Sequence, residues 1–201
     1  MVKRLKENEI MENLRLLADW LQVKYPGEHF ELIVAGGAAM ILEGFKGQTT
    51  DIDLLSPRQL PDSIKKGIAH VGRAKKLGTE WVNTSLANML ATSARSVKLP
   101  EYFSEISRTI ELGDNLKIGL ISRQALISLK LYATIPSYRK HTEDLSNLRP
   151  SKREITEALR FVMSIDDSDP RKGDLRIVMK ELGFDFDEIR YSSAKKGKPR
   201  R

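Results

Sequence analysis

ELIVAGGAAMILEGFKGQTTDIDLL, residues 31–55, decides the reading of this chain. An apolar run, Leu32–Ala35, ends at Gly36-Gly37, and a second short apolar run then carries Asp51 and Asp53 on either side of Ile52. Side chains alternate along a strand, so the two carboxylates leave one face roughly 6–7 Å apart. Like charges at that spacing repel unless a cation lies between them. Hard divalent ions such as Mg²⁺ take oxygen ligands, typically one or two carboxylates together with substrate phosphates. The glycines of Gly36-Gly37 have no Cβ, so their backbone N–H groups and the start of a helix can approach a phosphate. The pattern predicts a metal-and-nucleotide site with Asp51 and Asp53 as the metal ligands and Gly36 and Gly37 at the phosphates.

Each piece has a simpler reading. A D-x-D pair alone is more often a strand end with solvated acids, and a glycine pair alone is usually a turn. The ordered combination is more specific, because a purely structural strand gains nothing from an acidic face opposite Ile52 and Leu54. Lys46, in the loop before the acidic strand, offers charge to a triphosphate or is an exposed loop lysine.

Outward from this stretch, Ile10, Leu14, Leu17 and Leu21 recur at helical spacing and predict a helix over 7–24, stopped by Pro26-Gly27. Strands are expected at 32–35 and 49–55, with a short helix at 37–42 between them. A helix is expected at 62–71, a short strand at Trp81-Val82, and a helix after it containing Leu86 and Leu90. Residues 108–112 and 116–121 read as two strands joined at Gly113-Asp114-Asn115, a composition suited to a hairpin. From Ser122, a plausible N-cap, the chain turns helical over 123–134, with Pro136 marking the end. Ser151-Lys152-Arg153-Glu154 is a capping box opening a helix over 152–163, and another helix is expected at 174–182 before Gly183. The fold class is α+β: a small mixed sheet with flanking helices and a helical C-terminal half. The expected organisation is an α/β core at 1–121, a helical region at 122–190 packed on it, and a basic disordered tail at 191–201.

Composition narrows the function classes. The chain has 201 residues and no cysteine, which excludes disulfides, thiolate zinc sites and a cysteine nucleophile. It has no apolar run near 18 residues and no signal-peptide core, so a cytoplasmic protein without a membrane span is expected. The formal charge is +7, and much of the excess sits in the tail at Lys195, Lys196, Lys198, Arg200 and Arg201. Such a tail adds non-specific affinity for nucleic-acid backbones or simply solubilises the chain.

Residues 31–55 resemble the signature of the nucleotidyltransferase (polymerase-beta-like) superfold, in which a G-G or G-S turn holds the triphosphate and a D-x-D strand binds Mg²⁺. Here Gly37 and Ala38 stand where many members place a serine, so a hydroxyl contact to phosphate is lost. The stretch SRQALISLKLYATIPSYRKHTEDLSNLRPSKREITEAL, residues 122–159, is similar to the K-L-x-A … R-x-K-H-x-x-D-L run of a bacterial and archaeal family with this fold. That family is distantly related to the AbiEii-type abortive-infection toxins, and Glu80-Trp81-Val82-Asn83 looks like its W-L-N element.

The resemblance implies further residues. A third carboxylate, on a strand beside D-x-D, helps activate the attacking hydroxyl in the superfold; Glu111 and Glu80 are the two candidates, with Glu111 preferred. Lys130 and Lys140 would contact nucleotide phosphate and Asp144 would orient them, with His141 in a supporting role. On residue spacing alone, Lys140 and Asp144 could instead pair as i,i+4 neighbours on a helix surface. The implied activity is Mg²⁺-dependent transfer of a nucleoside monophosphate from a nucleoside triphosphate to a hydroxyl of a protein, an RNA or a small molecule. Toxin–antitoxin relatives imply an antitoxin as partner. The alternative is a catalytically inactive nucleotide-binding or interaction module. Oligomeric state and nucleotide preference are not encoded in any of these motifs.

Overall fold

The computed structural model describes residues 3–93, 97–135 and 139–194. Helices and a five-stranded mixed sheet make an α+β fold, and the chain divides into two compact units. The first comprises residues up to 95 together with 104–122; the second comprises 96–103 and the chain from Arg123 onward. No helix among the described residues is long and apolar enough to cross a membrane.

In the first unit, helix α1 (Glu7–Lys24) buries Ile10, Leu14, Leu17 and Leu21, the positions its 3.6-residue period selects. Strand β1 (Phe30–Ala35) leads directly into α2 (Gly36–Leu42), a short helix buried along its whole length. Strand β2 (Ile52–Ser56) follows, then α3 (Asp62–Ala74), β3 (Val82–Asn83) and α4 (Ser85–Ser93). Strands β4 (Ile106–Leu112) and β5 (Leu116–Ile121) form the expected hairpin. The strand order is β3-β2-β1-β5-β4. Strand β1 is central, antiparallel to β2 and parallel to β5, while β3 runs parallel to β2. Helix α1 packs on α3, and Trp81 Nε1 donates to Ile68 O at 2.9 Å, tying α3 to the β3 edge.

The second unit is helical. Helix α5 (Arg123–Ala133) is buried from Ala125 to Leu131 and packs mainly on α7 (Lys152–Ile165) and on α6 (Lys140–Leu148). Helices α8 (Asp169–Glu181) and α9 (Phe186–Ala194) complete it. Two arginines satisfy carbonyls that helix ends leave orphaned. Arg171 donates to Leu131 O, Tyr132 O and Thr134 O at 3.0, 2.8 and 2.6 Å, closing the end of α5. Burial disfavours its charged form and lowers its pKa. Arg123 donates to Glu154 Oε1 at 2.8 Å and to Leu148 O at the end of α6. Phe103, from the 96–103 segment, packs in a tilted arrangement against Phe161, with ring centroids 4.8 Å apart.

Some expectations shift. The expected strand at 49–55 is shorter: Thr49, Thr50 and Asp51 lie outside β2, and Thr49 forms an isolated antiparallel bridge with Leu5. Helix α8 begins at Asp169 rather than 174, because Ser168 accepts from Arg171 N at 3.4 Å and Pro170 follows in the first turn. The tail is corrected: α9 continues to Ala194, so 191–194 are helical, and residues 195–201 lie outside the described residues. Pro136 also lies outside them.

The capping box at α7 is formed as the sequence predicts: Ser151 N donates to Glu154 Oε2 at 2.8 Å, and Glu154 N to Ser151 Oγ at 3.2 Å. Desolvation raises the Glu154 pKa, but hydrogen bonds from the Ser151 backbone and from Arg123 together outweigh it and hold it below its usual 4.5. A depressed folded-state pKa contributes stability above the unfolded value, lost as pH falls through the folded one. Wild type is therefore expected to lose more stability than Glu154→Gln between neutrality and pH below about 4, measured by urea titration at each pH. Parallel acid profiles for the two proteins would contradict this assignment.

Candidate functional site

Central strand β1 delivers Ala35 opposite Asp53 on β2, and the chain then turns sharply at Gly36, whose φ is +62°. A Cβ at Gly36 would overlap Asp53 Oδ2, and one at Gly37 would lie 2.5 Å from Thr49 Oγ1. Both glycines are required by close approach, and Gly36 also by a left-handed backbone. Their immediate physical role is to seat the Asp53 carboxylate and Thr49 against the start of α2.

Thr49 is fixed from the other side by Leu5, with Leu5 N donating to Thr49 O at 2.6 Å and Thr49 N to Leu5 O at 3.0 Å. Leu5 is fully buried. From this anchor the burial alternates: Ile52 and Leu54 face the core at 0 % exposure, while Asp51 and Asp53 are half-buried on the other face. Thr50 Oγ1 donates to Asp51 Oδ1 at 3.1 Å. Asp51 lines a depression of about 250 Å³ together with Lys3, Thr50, Thr79 and Glu80. Two half-buried carboxylates with an open depression beside one of them offer hard oxygen ligands of the kind Mg²⁺ accepts. Among the described residues, no group of three or more His, Asp or Glu side chains is arranged to hold a metal.

The sheet separates the two candidates for a third carboxylate. Glu80 borders the Asp51 depression. Glu111 does not come near it: it pairs in register with Lys117, which is opposite Glu31, at the far end of β1 from Ala35. By strand geometry Glu111 lies about 14 Å across the sheet and about 13 Å along it from Asp53. Its exposed carboxylate, on the edge strand β4, faces Lys117 Nζ of β5 at 3.8 Å. The residue that does stand beside Asp53 is Asn83, its register partner on β3. Asn83 is buried, accepts from Ser85 N at 2.9 Å and donates to Glu80 O at 3.4 Å, so its amide holds the entry into α4. Its position beside Asp53 depends on a parallel strand pairing that no local pattern in the sequence encodes.

Lys130, Lys140 and Asp144 belong to the second unit. Lys130 Nζ meets Asp144 Oδ2 at 2.6 Å, with the side chains only 7 % and 3 % exposed. Asp144 thus pairs with Lys130 on the neighbouring helix, while Lys140 opens α6 in an exposed position and His141 beside it is half-buried. Lys46 is half-buried in the loop between α2 and β2.

No protein-family model matches the chain, and neither the curated proteins nor the solved structures contain a match to it.

Two stability outcomes follow from this geometry. Gly36→Ala is expected to destabilise the chain by about 1–3 kcal/mol, the cost of a strained backbone with a crowded carboxylate, in urea unfolding; an unchanged midpoint would refute the close approach. Lys130→Met is expected to cost about 3–5 kcal/mol by stranding a buried Asp144, and Lys130→Met/Asp144→Leu to recover most of it. A double variant no better than the single one would show that the pair is not the source of the loss.

Proposed function

We propose that the chain is a Mg²⁺-dependent nucleotidyltransferase of the polymerase-beta-like type, transferring a nucleoside monophosphate to an acceptor hydroxyl. The observation that carries this reading is the half-buried pair Asp51, immediately before β2, and Asp53, in β2, with the Asp53 carboxylate packed against Gly36. The donor set fits Mg²⁺, which when bound would neutralise phosphate charge there. Asp51 and Asp53 would hold the ion, and Gly36 and Gly37 would present backbone to the phosphates. Glu80 replaces Glu111 as the candidate acceptor-side base, since it shares the depression with Asp51.

In this reading the acceptor oxygen bonds to the α-phosphorus as the bond from phosphorus to the departing pyrophosphate breaks. The hydroxyl proton passes to the Glu80 carboxylate, and pyrophosphate leaves. A second reading is favoured by Asn83: a neutral amide beside Asp53, already engaged at α4, suits a module that binds nucleotide without transferring it.

Titration of ATP, GTP, CTP and UTP with and without Mg²⁺, on wild type and on Asp51→Asn/Asp53→Asn, tests the proposal. Metal-dependent binding by wild type is expected, lost in the variant with its thermal unfolding unchanged. Absence of nucleotide binding by folded wild type would end the proposal. Metal-dependent binding with no pyrophosphate release in the presence of acceptors would select the second reading.

A further inference from the structure

The wall of the Asp51 depression has a second side. Residues Leu77, Gly78, Thr79 and Glu80 line that depression and also a larger groove, about 480 Å³, between this segment, α3 and β3. The wall is one strand of chain thick. Gly78, Thr79 and Glu80 are exposed, and nothing lies within 4 Å of where a Cβ on Gly78 would stand. The groove therefore runs alongside the acid site and meets it at Glu80.

The lining of the groove states what it can hold. Ile68, Ala69, Leu77 and Val82 make an apolar floor; along the α3 side stand the exposed cations Arg73 and Lys65, the latter ion-paired with Asp62 at 3.0 Å, and Glu80 places one carboxylate on the opposite wall. A volume of this size is that of a ligand site rather than a packing defect. Single-stranded nucleic acid is held on aromatic platforms, and no aromatic side chain is among the described lining residues of the groove. An extended peptide matches the surface better: an apolar side chain covers the floor, and an acidic one meets Lys65 and Arg73.

We infer that this groove binds the acceptor of the proposed transfer, and that the acceptor is a protein. An extended segment lies along α3 with an apolar residue on the floor and an acidic residue at Lys65 and Arg73. Its hydroxyl-bearing residue reaches past Glu80 to the Asp51 depression. The inference rests on the nucleotidyl-transfer reading and adds its substrate class.

The test uses the full chain, nucleotide labelled at the α-phosphate, Mg²⁺, and two acceptor sets: an array of peptides each with one Ser, Thr or Tyr in varied flanks, and total RNA. Nucleotide affinity is measured in parallel. Wild type is expected to label peptides with apolar and acidic flanks. Ala69→Trp, which fills the groove from an exposed position, is expected to cut that labelling about a hundredfold, the cost of misplacing an acceptor, with nucleotide affinity unchanged. Lys65→Glu/Arg73→Glu is expected to shift the preferred flanks from acidic to basic. Labelling of RNA alone, labelling of peptides equally by Ala69→Trp, or no labelled acceptor despite nucleotide binding would each overturn the inference and leave the nucleotide site standing. A folded wild type that binds no nucleotide would overturn both.

Discussion

Everything in the first unit hangs on β1 being hydrogen-bonded along both edges. With β2 on one side and β5 on the other, its backbone has no freedom to slide. A one-residue slip would turn Leu32 and Val34, both buried, away from the core. That fixed register delivers Gly36 to a single place, and there only a residue without a Cβ can sit beside Asp53. The exposure of Asp53 is thus a consequence of the sheet: Ile52 and Leu54 face inward, so Asp53 between them faces the other way, with Asp51 just ahead of the strand.

The second unit solves a different problem. Its helices end inside or beside packed structure, where unpaired carbonyls are costly. Arg171 and Arg123 reach across to close those ends, and the long guanidinium forks do what local caps cannot. The Lys130–Asp144 pair is another matter. Buried ion pairs contribute little net stability compared with apolar packing, so its presence between the last turn of α5 and α6 is not explained by stability alone.

Local features were legible in the sequence wherever one element carried its own signal. The period of Ile10, Leu14, Leu17 and Leu21 marks α1 to both ends, and Ser151 with Glu154 marks the start of α7. The alternation through Asp51-Ile52-Asp53-Leu54 gives the face of β2. What was hidden depends on which strands pair. Glu111 sits in a strand as expected, but only the order β3-β2-β1-β5-β4 reveals that this strand is at the far edge. The same order brings Asn83 to Asp53. Helix α9 was obscured because its polar residues run on into the basic segment, so composition blurred the boundary.

The interruption of the first unit by residues 96–103 has a bearing on how the chain is made. Strand β1 forms near residue 30, yet its parallel neighbour β5 lies roughly eighty residues later, beyond a segment belonging to the helical unit. Long-separation pairing of this kind slows folding, because the loop must close before any contact rewards it. During synthesis, β1 and β2 emerge as an antiparallel pair with one edge of β1 bare until Leu116–Ile121 has left the ribosome. The nascent chain is therefore most vulnerable to strand-edge aggregation in the interval between residues 56 and 121, and the acid site takes its final form only when that interval closes.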